Sequence, residues 1–120
     1  MTRHPEHDAQ AALIQWAALN TARYPVLRWL HAIPNAAKRS PHLAAYMKAE
    51  GLKAGVPDLF LPCARNNYHG LYIEMKHGSN KPSPDQREFL DFAAEQGFLA
   101  VVCYSWDEAR EAIEEYLEKP

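Results

Sequence analysis

The sequence predicts an α/β domain in which four strands are interleaved with helices, and three observations carry that prediction. Leu71-Tyr72-Ile73-Glu74-Met75-Lys76 alternates with the period of two that places successive side chains on opposite faces of a strand. Phe98 to Tyr104 is an apolar run of strand length, expected in the interior of a sheet. Between them, Ser83-Pro84-Asp85-Gln86 opens a helix with a capping-box pattern, Ser at the N-cap and Gln three residues on.

The other elements follow in order. Glu6 to about Ala22 is an amphipathic helix, with Ala9, Leu13, Trp16, Ala17 and Asn20 on one face, widened by Ala12 and Leu19. Pro5 suits its first position. Val26 to Ile33 has the composition of a strand and ends at Pro34-Asn35. Ser40-Pro41 is an N-cap followed by a first-turn proline, and Gly51 follows the last apolar position, so Pro41 to Glu50 is expected to be helical. Asp58 to Leu61 and Leu71 to Lys76 are strands joined by a polar bend, and Gly78 to Pro82 is a flexible connection. The helix after Ser83 has Phe89, Leu90, Phe92 and Ala93 as its buried face and stops at Gly97. Trp106 to Glu118 is a last helix with Ala109, Ala112, Ile113, Tyr116 and Leu117 turned inward.

A chain of 120 residues is one domain, 1–120, with a modest core. No stretch approaches the roughly 20 apolar residues of a membrane span, and the first residues lack the apolar core of a signal peptide, so a cytoplasmic location without membrane partners is the expectation. Cys63 and Cys103 lack CxxC spacing and lie on or beside apolar runs, which reads as buried free thiols. His4 and His7 share a helix face but have no third ligand near in sequence, so zinc is not supported. The net charge of −2 is unevenly spread: Arg23 to Lys81 holds nine basic residues against three acidic ones, and the acidic surplus lies outside that segment, much of it in the final helix. A basic middle between acidic ends is compatible with phosphate binding, and equally with an unevenly charged solvated surface.

Two apolar runs each deliver charge to one end. Glu74 and Lys76 emerge from the same face of one strand, and Asp58 begins the neighbouring run, so pairing across the bend lets its carboxylate meet that of Glu74. Two carboxylates and an ammonium on adjacent strands make a hard-cation site with a built-in positive charge, suited to metal-assisted attack of water on a phosphodiester. Asn35, Lys38, Arg39, Lys53 and Lys81 lie in loops flanking the strand ends and are candidate phosphate contacts.

Pro57-Asp58 followed by Glu74-x-Lys76 resembles the PD-(D/E)xK nuclease signature. Glu6 with Gln10, Ile33-Pro34-Asn35 with Lys38-Arg39, Gly51 to Leu61, Gly70 to Lys76, and Ser83-Pro84-x-Gln86 together resemble the VRR-NUC family, the virus-type replication-repair nucleases. The likeness runs from about Glu6 to Tyr104. It implies a restriction-endonuclease-like core, a mixed four-stranded sheet flanked by helices. It also implies a Mg2+- or Mn2+-dependent endodeoxyribonuclease that leaves 5′-phosphate and 3′-hydroxyl ends, without an organic cofactor.

On that resemblance Asp58, Glu74 and the Met75 backbone carbonyl are metal ligands, with Glu6 facing the metal from the first helix, supported by Gln10. Lys76 orients or activates the attacking water. Gln86 has two readings: the capping box accounts for it alone, whereas the family places a glutamine of this helix beside the lysine and the scissile phosphate. The pair of glycines usual after Pro34-Asn35 is replaced by Ala36-Ala37. Stand-alone chains of this length resemble phage or prophage nucleases, and the family includes homodimers that cut four-way junctions. The resulting expectation is a homodimer selective for branched DNA such as Holliday junctions. The alternatives are a nicking or flap nuclease within a replication or repair complex, and an inactive DNA-binding module of the same fold.

Overall fold

The computed structural model describes residues 4–35 and 39–119. In chain order it contains α1 (Pro5–Leu19), a 3-10 helix (Pro25–Trp29), β1 (His31–Ala32), α2 (Pro41–Ala49), β2 (Leu59–Leu61), β3 (Leu71–Met75), α3 (Pro84–Glu95), β4 (Leu99–Cys103) and α4 (Trp106–Glu118). The strands form one mixed sheet in the order β1-β2-β3-β4. β1 and β2 are antiparallel, β2 and β3 antiparallel with Leu59 opposite Ile73, and β3 and β4 parallel with Ile73 opposite Val101. No helix among the described residues is long and apolar enough to cross a membrane.

The period of two divides the strands between two faces. Leu59, Leu61, Leu71, Ile73 and Met75 join Leu13 and Ala17 of α1 and Ala109, Ile113 and Tyr116 of α4 in the main core. Burying each of the larger side chains contributes roughly 1.5–3 kcal/mol relative to exposure. Tyr116 also donates its hydroxyl to the Cys63 carbonyl at 2.6 Å, tying α4 to the end of β2. The opposite face carries aromatic rings: Phe60 lies 4.5 Å from Tyr72, which meets Phe89 of α3 edge-on at 5.2 Å. Both cysteines are free and buried, and burial pushes the Cys103 thiol up to about 12.

Four expectations are corrected. The segment predicted as a strand from Val26 to Ile33 is a 3-10 helix followed by a two-residue strand. Pro25 starts the helix, and Leu27 and Leu30 are both buried; residues three apart share a side in a 3-10 turn but fall on opposite faces of a strand. The apolar run at β4 forms the sheet's edge, not its interior. Its residues are apolar on both faces because α3 and α4 both pack against it. Leu19 is 77% exposed, since α1 buries Leu13 and Ala17 and position 19 falls on the far side; the helix ends there, where Asn20 turns its side-chain amide back to the Trp16 carbonyl at 2.8 Å. Phe92 is 56% exposed, because α3 meets the sheet through Phe89 and Ala93.

Candidate active site

The alternation that sends Leu59 and Ile73 into the main core sends Asp58 and Glu74 to the α3-facing side. Extending the Leu59–Ile73 register by one residue sets Asp58 opposite Glu74, near enough for its charge to act on the Glu74 carboxyl. Asp58 is fixed on both flanks. Its Oδ2 accepts from the Met75 backbone N–H at 2.7 Å, and its carbonyl accepts from the Ile33 N–H at 2.8 Å.

Glu74 is 3% exposed, and among the described residues it is the one buried charged side chain. Lys76 emerges two residues later on the same face, and its Nζ lies 3.6 Å from Glu74 Oε2. From the helix side, Gln86 Nε2 donates to the same oxygen at 3.3 Å. Burial first, and then the Asp58 charge, push the Glu74 carboxyl up to about 8 against the opposing pull of Lys76. Two opposed carboxylates, one of them desolvated, supply the hard oxygen donors and the excess negative charge that a small divalent cation compensates. The donor set therefore fits a small divalent cation, with the Met75 carbonyl on the same strand end.

Gln86 caps α3 and also reaches the buried acid on β3. Its Oε1 accepts from the Ser83 N–H at 2.8 Å and Ser83 Oγ accepts from the Gln86 N–H at 3.2 Å, completing the capping box, while its Nε2 reaches Glu74. The oxygen and the nitrogen of the one amide thus point to different partners. Gly55 packs closely against the first turn of this helix. Its φ is +85°, and a Cβ there would lie 2.5 Å from the Asp85 carbonyl oxygen, so only glycine lets the loop run against the first turn of α3.

The remaining candidates are placed as follows. Asp58 lines a cavity of about 470 Å3 with His7 and Gln10 of α1, Asn35 and Arg39. Asn35 also lines a second cavity, about 280 Å3, that reaches Gln86 and Lys48. Lys53 and Lys81 are exposed in the loops before Gly55 and before α3. Lys38 and the Ala36-Ala37 pair lie outside the described residues. Glu6 is the second residue of α1. Among the described residues no three His, Cys, Asp or Glu side chains are grouped so as to hold a metal ion. The α1 side chains lining the groove are His7 and Gln10.

The sequence model of the VRR-NUC domain family matches residues 4–107. The chain belongs to the VRR-NUC family. A solved structure described as a VRR_NUC domain protein is similar at 30% identity with a TM-score of 0.81, covering 99% of this chain and 93% of that one. No curated protein matches. The VRR-NUC domain is a nuclease-type domain with DNA as its substrate class, and the pairing of Asp58 with Glu74 lies on its central hairpin.

Sequence reading missed two groove residues. His7 enters the sequence reading only as a zinc ligand, and Lys48 only as one of the nine basic residues between Arg23 and Lys81. The signal for Lys48 was present in its spacing: Ala44 and Lys48 are one turn apart on a helix with no buried residue.

Proposed function

We propose that this VRR-NUC domain is a Mg2+- or Mn2+-dependent endonuclease that hydrolyses DNA phosphodiesters, acts selectively on branched DNA such as Holliday junctions, and works as a homodimer. The observation that carries the reading is the buried Glu74 opposite Asp58, with Lys76 and Gln86 both at its Oε2. When bound there, the cation supplies Lewis-acid polarisation of a phosphate oxygen and a more acidic water.

The chain's own groups have separate tasks. Asp58 and Glu74 hold the negative charge, and the Met75 N–H fixes the orientation of Asp58. Lys76 presents a cation two residues from Glu74, where charge builds on a five-coordinate phosphorus. Gln86 orients Glu74 from α3 and offers its amide to a water or phosphate oxygen. Glu6 has a peripheral part, adding negative charge from the first turn of α1.

The distribution of pairing supports a nucleic-acid face. Arg23, Arg110 and Lys119 are engaged by acids of α4. Among the described residues Arg39, Lys48, Lys53 and Lys81 form no ion pair, and all four belong to the segment between the 31–35 loop and the start of α3. Positive charge is thus available to phosphates on that side and neutralised near α4. Two-fold pairing of two such sites matches the symmetric strands of a four-way junction.

Incubating the protein with labelled four-way junctions, flaps and linear duplexes in Mg2+ tests the reading. Paired symmetric nicks confined to four-way DNA support it. Cleavage of flaps or single nicks in preference assigns the domain to a repair or replication complex, and binding without any cleavage assigns it to a DNA-binding module.

A further inference from the structure

We propose that α2 is a DNA-contacting wall of the groove and that Lys48 binds a backbone phosphate next to the one being cleaved. This rests on the nuclease reading of the site but assigns a binding role to an element that the site itself does not use.

α2 is a well-formed helix with little reason to exist as packing. Ser40 Oγ accepts from the Leu43 N–H at its start, and Gly51, at a φ of +107°, follows its end. Yet it buries none of its residues, and Leu43 and Tyr46 are 41% and 63% exposed. Only Ala44 and Met47 are half-buried, so an element capped at its start leaves most of its surface open to a partner.

What it presents to the interior of the groove is one face. Ala44 and Lys48, four residues apart, line the 280 Å3 cavity opposite Ser83 and Gln86. Gln86 is bonded to Glu74, so the floor of this cavity leads to the proposed catalytic acids. Asn35 borders both this cavity and the one that holds Asp58 and Arg39, so the two lie side by side. Ala44, Ala54 and Gly55 keep the lining of the first cavity small. Asp85 is the acid on this wall, and it forms no ion pair with Lys48 among the described residues. The ammonium is therefore available to an incoming anion. Lys48 in the cavity of Gln86 and Arg39 in the cavity of Asp58 put one cation beside each side of the site, which suits a strand whose phosphates flank the scissile one.

The experiment compares Lys48→Ala, Lys48→Arg and Tyr46→Ala. Tyr46 lies about 200° around the helix from Ala44 and faces away from the groove, so it controls for loss of the helix. DNA binding is measured by fluorescence anisotropy in Ca2+ or without metal, across a salt series, and cleavage is measured separately in Mg2+. Lys48→Ala is expected to weaken binding and raise KM about tenfold, to leave kcat within about twofold, and to reduce the slope of log K against log salt by about one. Lys48→Arg restores most of the affinity, and Tyr46→Ala changes neither quantity. Unchanged affinity and salt slope in Lys48→Ala would overturn the proposal, as would equal losses in Lys48→Ala and Tyr46→Ala. Absence of Mg2+-dependent cleavage by the wild type would instead count against the nuclease reading, while the anisotropy arm still decides the role of Lys48.

Discussion

Gln86 donates its side-chain amide to Glu74 Oε2 at 3.3 Å while the oxygen of the same amide accepts from the Ser83 N–H at 2.8 Å. One residue thus fixes the start of α3 and the orientation of the buried acid on β3. The two contributions separate by mutation. Ser83→Ala removes the cap hydroxyl and is expected to cost about 1 kcal/mol of stability with a small effect on turnover. Gln86→Glu keeps an oxygen for the capping box but places a third carboxylate against Glu74, and is expected to lower turnover at least tenfold with little loss of stability. Denaturant midpoints and cleavage rates of both variants check this.

The raised Glu74 carboxyl predicts a pH dependence of stability in the metal-free protein. From its ordinary 4.5 to about 8, folded protein holds a proton on Glu74 that unfolded protein has lost. Stability therefore falls as pH rises through that window. Glu74→Gln imitates the protonated form and removes this part of the slope. Thermal midpoints should show wild type and variant alike near pH 4.5 and the variant more stable above about pH 8. Saturating Mn2+ is expected to raise the wild-type midpoint more at high pH than at low, because cation binding requires both carboxylates deprotonated.

Gly55 is a second lever on the site from outside it. Gly55→Ala meets both an unfavourable left-handed backbone and the Asp85 carbonyl at 2.5 Å. The backbone conformation alone costs about 1–2 kcal/mol, and relief of the contact moves the first turn of α3, which carries Gln86. Turnover is expected to fall by more than the loss of stability accounts for. Kinetics measured well below the melting transition separate the two effects.

Lys76→Met retains much of the side-chain length and removes the charge 3.6 Å from Glu74. The expected result is a loss of turnover on the order of 10²–10³, with DNA affinity and cation affinity largely kept. Titration calorimetry with Mn2+ and anisotropy with DNA supply the comparison.

Much of the site was legible because it depends on local alternation. The period of two from Leu71 to Lys76 puts Glu74 and Lys76 on one face, and a short bend sets Asp58 opposite Glu74. The capping pattern at Ser83 placed Gln86 at the third position of α3, as observed. What could not be read locally depended on long-range packing. Val26 to Leu30 has strand composition, and its 3-10 turn is set by where Leu27 and Leu30 meet the core. The apolar run of β4 reflects helices covering both its faces, a pattern that an edge strand shares with a central one. The double use of Gln86 required the distance between α3 and β3, and the groove side of α2 required the direction of a helix that shows no apolar face of its own.

The most direct test of the central claim is divalent-cation-dependent cleavage of branched DNA by wild type and Asp58→Ala, with circular dichroism confirming that both are folded. Opposed Asp58 and Glu74 carboxylates as the cation site predict Mg2+- or Mn2+-dependent cleavage by the wild type and its loss in Asp58→Ala. Equal cleavage by the two proteins, or wild-type cleavage that persists in excess chelator, would contradict it.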